Sequence, residues 1–255
     1  MYNEEITAVC GIARKKINLL SGNPVGYMLA AVLAGIFVGF AVLLASSIGG
    51  WLKGSQFEPF TRLLMGLTFG VALSLVVIAG AELFTGNNFV MIVGIVKKTV
   101  SVGECIKIWV ASYLGNIIGS IILAVIFVWC GLAKGNTGES ISNLSTAKTL
   151  LGPLALISRG VLCNILVCAA VWCSYRCKSE AAKLIIIFWC LTTFVATGYE
   201  HSIANMTLLT VNMLSPAAGA VSLGGWAYVV GLSTIGNIIG GSVFVALPYA
   251  VISKQ

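Results

Sequence analysis

The chain predicts an all-α integral membrane protein, with six transmembrane helices arranged as an inverted repeat and the second and fifth helices broken. Three observations carry that reading. Of 255 residues, 58% are hydrophobic and 9% charged, with a mean hydropathy of +1.01, whereas a soluble domain carries about 25% charge. Apolar stretches of spanning length recur along the chain. Two of these stretches are interrupted by polar residues, and the interruptions, at Glu82 and Glu200, lie 118 positions apart.

In chain order, residues 1–24 form a cytoplasmic N-terminal segment. Its apolar residues between Ile6 and Leu20 interleave with Arg14, Lys15 and Lys16, which suits an amphipathic helix on the inner surface. Met1 to Gly22 is polar and mixed in charge, unlike a cleavable signal. Residues 25–254 are the spanning domain, with halves at roughly 25–131 and 152–254. Tyr27–Ile48 is long enough for the first span. Arg62–Ala79 begins the second, which AELFTGNN (Ala81–Asn88) interrupts before Phe89–Val96 resumes. Ile108–Cys130 is the third and Leu154–Trp172 the fourth. The fifth runs from Lys183 to Val195, breaks over Glu200–Asn205, and resumes from Met206 to Leu214. Trp226–Ile252 is the sixth, and glycines in the first and last spans (Gly35, Gly39, Gly236, Gly240, Gly241) suit close helix packing.

A net charge of +7 would suit nucleic acid, but the charges are placed otherwise. Arg14, Lys15 and Lys16, then Lys97, Lys98 and Lys107, then Arg176, Lys178 and Lys183, and finally Lys254 make ten of the fifteen Lys and Arg. They occupy alternate connections, which places both termini in the cytoplasm of a plasma-membrane protein. The eight cysteines are scattered. Cys173 and Cys177 have a helical i, i+4 spacing, but no histidine or second pair accompanies them, so no metal or cofactor site is expected.

The breaks hold the residues that carry chemistry. In the first, Gly80 and Gly86 free the backbone around Glu82, Thr85, Asn87 and Asn88, and a half-helix starting near Asn87 would aim its N–H groups at the bilayer centre. The second does the same around Ser202–Asn205. Two opposed N-termini favour an anion; the plainer alternative is that the polar residues only cap broken helices. His201 is the one histidine of the chain, and it hydrogen-bonds and changes charge near neutrality. Adjacent Glu200 cannot share its direction in a helix, where neighbours diverge by about 100°, so Glu200 is read as supporting backbone or other polar groups. Asn164, inside the fourth span, needs polar partners. Lys148, in the loop before that span, is either a solvated lysine or an attractor of anions.

At these residues the chain resembles the formate/nitrite transporter family, and within it the hydrosulfide ion channel branch most. AELFTGN in the second span, RGVLCNILVCAAVW in the fourth and GYEHSIANM in the fifth carry the resemblance, which begins at NPVGYMLAAVLAG (Asn23–Gly35) and runs to the sixth span. It implies an aquaporin-like protomer in a homopentamer, one pore per protomer, with the N-terminal segment near the inner mouth. It also implies that His201 is the pore histidine faced by Thr85, and that Glu200, Asn205 and Asn164 are a buried polar set. Lys148 then stands near the outer vestibule, and Phe69, Leu73, Leu83, Phe84, Val167 and Phe194 narrow the passage.

The expected function is a channel or transporter for small monovalent anions: hydrosulfide first, then formate or nitrite. Apolar constrictions make a bare anion costly, and His201 with Thr85 supplies hydrogen bonds or a proton midway. Two rivals are weighed. A neutral-solute channel of aquaporin type lacks the Asn-Pro-Ala motif in either break, and a membrane enzyme using Glu200 and His201 as acid and base lacks a nucleophile or metal set.

Overall fold

A computed structural model describes residues 1–217 and 219–253; Lys254, counted above among the inner charges, lies outside them. All regular elements among the described residues are helical. Helix α1 (Asn3–Gly22) leads into α2 (Pro24–Leu52), where the Asn23 side chain accepts from Gly26 N at 2.9 Å and Pro24 opens the first turn. Then follow α3 (Thr61–Phe69), α4 (Val71–Ala79), α5 (Phe84–Val96) and α6 (Val102–Trp129). Ser101 and Glu104 form a reciprocal capping box at the start of α6. The second half comprises α7 (Gly135–Thr149), α8 (Pro153–Arg176), α9 (Glu180–Ala196), α10 (Ser202–Leu214), α11 (Leu223–Gly241) and α12 (Leu247–Ile252). A π-type turn at Ser242–Ala246 joins the last two, next to Pro248, which lacks a helix N–H.

Five helices are long and apolar enough to cross a membrane: Pro24–Leu52, Glu58–Ala79, Val102–Trp129, Pro153–Arg176 and Leu223–Ile252. The shorter apolar helices α5 and α10 sit between them. Helix α5 packs on α6 and α8, and α10 packs on α6, α2 and α11. The tightest pairs are α2 with α6 and α8 with α11. A side chain on Gly35 would strike the Asn116 carbonyl of α6, and one on Gly236 would lie 2.9 Å from Gly160 Cα of α8. Backbone contact that close leaves no room for a side chain.

The apolar stripe of helix α1 packs into the protein interior. Ile6, Val9, Cys10, Ala13 and Ile17, at three- and four-residue spacing, are buried in the same core as α2 and α5. The polar string GNTGESISNLST, which reads as loop, is the body of α7. Its Gly138, Ile141, Ser142 and Ser145 make a buried face, so small polar residues pack where an apolar stripe would normally be sought.

Candidate functional site: the two helix breaks and His201

Glycines end the helices on which both breaks depend. Gly80, at φ 79°, stops α4, and Gly198, at φ 78°, lies just beyond α9; only glycine enters this left-handed region at little cost. The chain then runs extended to Leu83 (φ −93°, ψ 123°) and to His201 (φ −104°, ψ 116°), the residues preceding α5 and α10. The breaks are therefore shorter than the polar strings suggest. Thr85, Gly86, Asn87 and Asn88 are already helical, as are Ser202 and Asn205, and Gly86 has an ordinary helical place rather than a hinge. The side chains of Thr85, Asn87, Asn88 and Asn205 find hydrogen-bond partners inside the protein, so they do not need to leave the helix.

Two asparagines that sequence reasoning missed hold the breaks in place. Asn116 Oδ1 accepts from Phe84 N at 3.0 Å, while its Nδ2 donates to the carbonyls of Ala31 at 2.8 Å and Glu82 at 3.0 Å. Asn237 repeats the pattern, accepting from Ser202 N and donating to the carbonyls of Gly160 and Glu200, each at 2.9 Å. Both side chains are fully buried. The legible signal was Gly-Asn-Ile-Ile-Gly, present at residues 115–119 and again at 236–240. These bonds engage the leading N–H of each half-helix, Phe84 N and Ser202 N, with an amide oxygen, so those two groups are not free for an anion at the opposed N-termini.

A lysine–carboxylate pair accompanies each break. Lys16 of α1 reaches Glu82 at 2.6 Å, and Asn87 Nδ2 donates to the same carboxylate at 3.3 Å. Lys148, on α7 rather than in a loop, reaches Glu200 at 2.6 Å, and Asn205 Nδ2 donates to it at 2.8 Å. Glu200 is 2% exposed, and a carboxylate so buried persists only when paired and hydrogen-bonded. The helical divergence expected between Glu200 and His201 does not apply, since their backbone is extended. Successive side chains there point to opposite sides, so Glu200 turns to Lys148 while His201 turns to Thr85.

His201 Nε2 lies 3.1 Å from Thr85 Oγ1, and its Nδ1 accepts from Ala204 N at 3.2 Å. A nitrogen that accepts from a backbone N–H carries no proton, so the neutral ring with this bond has its hydrogen on Nε2. Phe194 stacks on the imidazole, with centroids 6.0 Å apart and planes inclined by 17°, and Phe69 meets Phe194 edge-on. A small chamber of about 10 Å³ lies here, lined by Val38, Phe69, Ala72, Leu73, Leu83, Val167, Leu191, Phe194 and His201. That is room for about one water molecule. Leu73 and Leu83 also line a cavity of about 390 Å³ that holds Lys16 and Glu82. Phe69, Phe194 and His201 also line a second cavity, of about 340 Å³, that holds Lys148, Glu200 and Asn205. The three spaces follow one another, separated by apolar side chains.

The remaining site candidates fall elsewhere. Phe84 lines none of these spaces; as the first residue of α5 it turns away from Leu83 and packs against Tyr113 and Trp109. Thr85 is wholly buried behind His201. Asn164 lines no cavity either, and its Nδ2 donates to the carbonyls of Thr85 and Asn237 and to Asn88 Oδ1. It ties the first half-helix to α11.

The family model described as "Formate/nitrite transporter" matches residues 3–251. The chain belongs to the formate/nitrite transporter family. This is a transporter family, so the membrane-enzyme alternative falls away. The nitrite transporter NirC of Escherichia coli is 38% identical over 251 residues, covering 98% of this chain and 91% of that protein. A solved FNT family ion channel matches with a TM-score of 0.92 at 34% identity, over 98% of this chain and 99% of that one. A pentameric formate channel with formate bound matches with a TM-score of 0.78 at 30% identity, over 89% and 96% of the two chains.

Proposed function

We propose that the chain is a channel for small monovalent anions, with nitrite and formate ahead of hydrosulfide as substrates. The order differs from the sequence reading, because the relatives whose names state a substrate are a nitrite transporter and a formate channel. The observation that carries the proposal is the position of His201 and its Thr85 contact between two apolar constrictions. An anion entering the chamber sheds most of its water, at a cost of several kcal/mol unless hydrogen bonds replace it. The Nε2–H of the neutral imidazole, which meets Thr85 Oγ1 at 3.1 Å in this structure, becomes such a donor when it turns from Thr85 to the anion. With Nδ1 engaged by Ala204, that ring donates a hydrogen bond and has no second proton to give, so protonation of the passing anion draws on solvent.

The wider assignment follows from the same reading. Six spans, the second and fifth divided at Gly80 and Gly198, form one pore per protomer in a homopentamer of the plasma membrane. Both termini are cytoplasmic, and residues 1–24 sit at the inner mouth through Lys16 and Glu82. Lys148, Glu200 and Asn205 shape the outer mouth, and Asn164 holds the half-helix that bears Thr85. In proteoliposomes at two pH values, His201→Ala should lower nitrite and formate flux by about ten-fold, the worth of one hydrogen bond to a charge. Unaltered flux with an unaltered pH profile would count against the central role of His201.

A further inference from the structure

Two arginines of the second cavity have no part in the passage as described. The cavity is lined by Arg62 of α3 and Arg159 of α8, together with Lys148, Tyr199 and Glu200. Glu200 is its only carboxylate, and Glu200 already holds Lys148 at 2.6 Å. The ion pairs among the described residues engage neither Arg62 nor Arg159. Both arginines belong to the rim of the second break. Arg62 Nη1 is 3.6 Å from where a side chain on Gly198 would begin, and the Arg159 carbonyl accepts from Glu200 N at 3.2 Å. Two positive charges therefore line this mouth beyond the neutralised Lys148–Glu200 pair.

We propose that Arg62 and Arg159 form an outer capture site for a planar monoanion with two oxygens, namely nitrite or a small carboxylate. This deepens the anion-channel reading above and rests on it. A guanidinium presents its N–H groups in a flat fork that matches two oxygens of one anion, and it keeps its charge across the pH range. A lysine at the same place supplies charge without the fork. Hydrosulfide, with one heavy atom, has no second acceptor for such a fork. Capture by arginines thus selects oxyanions at the mouth, before the shared apolar filter is reached.

The test uses the full-length protein in two settings. In detergent, formate and nitrite should raise the melting temperature of the wild type, and Arg62→Lys, Arg159→Lys and the corresponding Gln variants should weaken that response. In proteoliposomes, the same variants should raise the half-saturating concentration for nitrite about ten-fold while changing maximal flux less. Lys variants that behave as wild type would reduce the site to charge alone and overturn two-oxygen recognition. Unshifted half-saturation in every variant would overturn it too, as would a shift that disappears when anionic lipid is replaced by zwitterionic lipid, which would assign the arginines to headgroups. Anion-dependent melting without any flux would sink the channel reading and leave the site standing; flux indifferent to both arginines would do the reverse.

Discussion

Asn237 braces the backbone on both sides of His201 without touching the imidazole. Its three hydrogen bonds fix Ser202 on one side and the Glu200 carbonyl on the other, so the histidine between them has one backbone path. Asn237→Ala would strip the Ser202 N–H and the Glu200 carbonyl of the partner that holds them here, at about 1–3 kcal/mol for each group left unsatisfied, while the Gly160 carbonyl keeps its place in the α8 ladder. It should lower the melting temperature in detergent and reduce flux more than Asn116→Ala, whose bonds support Leu83 instead. Equal loss of flux in the two variants would mean that the histidine does not depend on this brace. His201, Glu200 and Thr85 were legible because ionisable and polar residues stand out against an apolar run. Asn116 and Asn237 were not, since a single amide in a long apolar helix declares a need for partners without saying where they lie. The resemblance set Phe84 beside Leu83 on the passage, but the onset of helix between them sends their side chains to different sides, and Phe84 packs against Tyr113 and Trp109.

Among the elements, packing between helix pairs was legible and the extent of the breaks was not. The glycine-rich character of the first and last spans pointed to close contact, and Gly236 meets the backbone of α8. Gly236→Leu should therefore be strongly destabilising, by about 3 kcal/mol or more, because a side chain there has no space to enter. Gly231→Ala on the same helix meets nothing within 4 Å and should leave the melting temperature unchanged or slightly raised. Similar losses in both variants would mean that general helix character, rather than contact between α8 and α11, governs stability. The polar strings around Thr85 and Ser202 looked unwound because isolated polar residues disfavour a lipid-facing helix. Here they are inside the protein, where Asn164 reaches the Thr85 carbonyl and Asn205 reaches Glu200 and Ser233. The same blindness hid α7, whose buried face is built from serine and glycine.

Across the whole molecule, orientation is open to a direct check. Cys130, at the end of α6, is the exposed one of the eight cysteines, whereas Cys173 and Cys177 near the end of α8 are partly covered. With basic residues placing the start of α6 inside, a membrane-impermeant maleimide should label Cys130 in intact cells and reach Cys177 only after permeabilisation. The opposite pattern would invert the topology and exchange the two mouths.

The 118-position offset relates Lys148–Glu200–Asn205 to Lys16–Glu82–Asn87 through their carboxylates and amides, and it sets His201 opposite Leu83. In the proposed channel, two halves matched in this way would offer similar encounters to a traveller from either end, except where the halves disagree. Any rectification the protein possesses must therefore originate at those mismatches, with imidazole against leucine foremost among them.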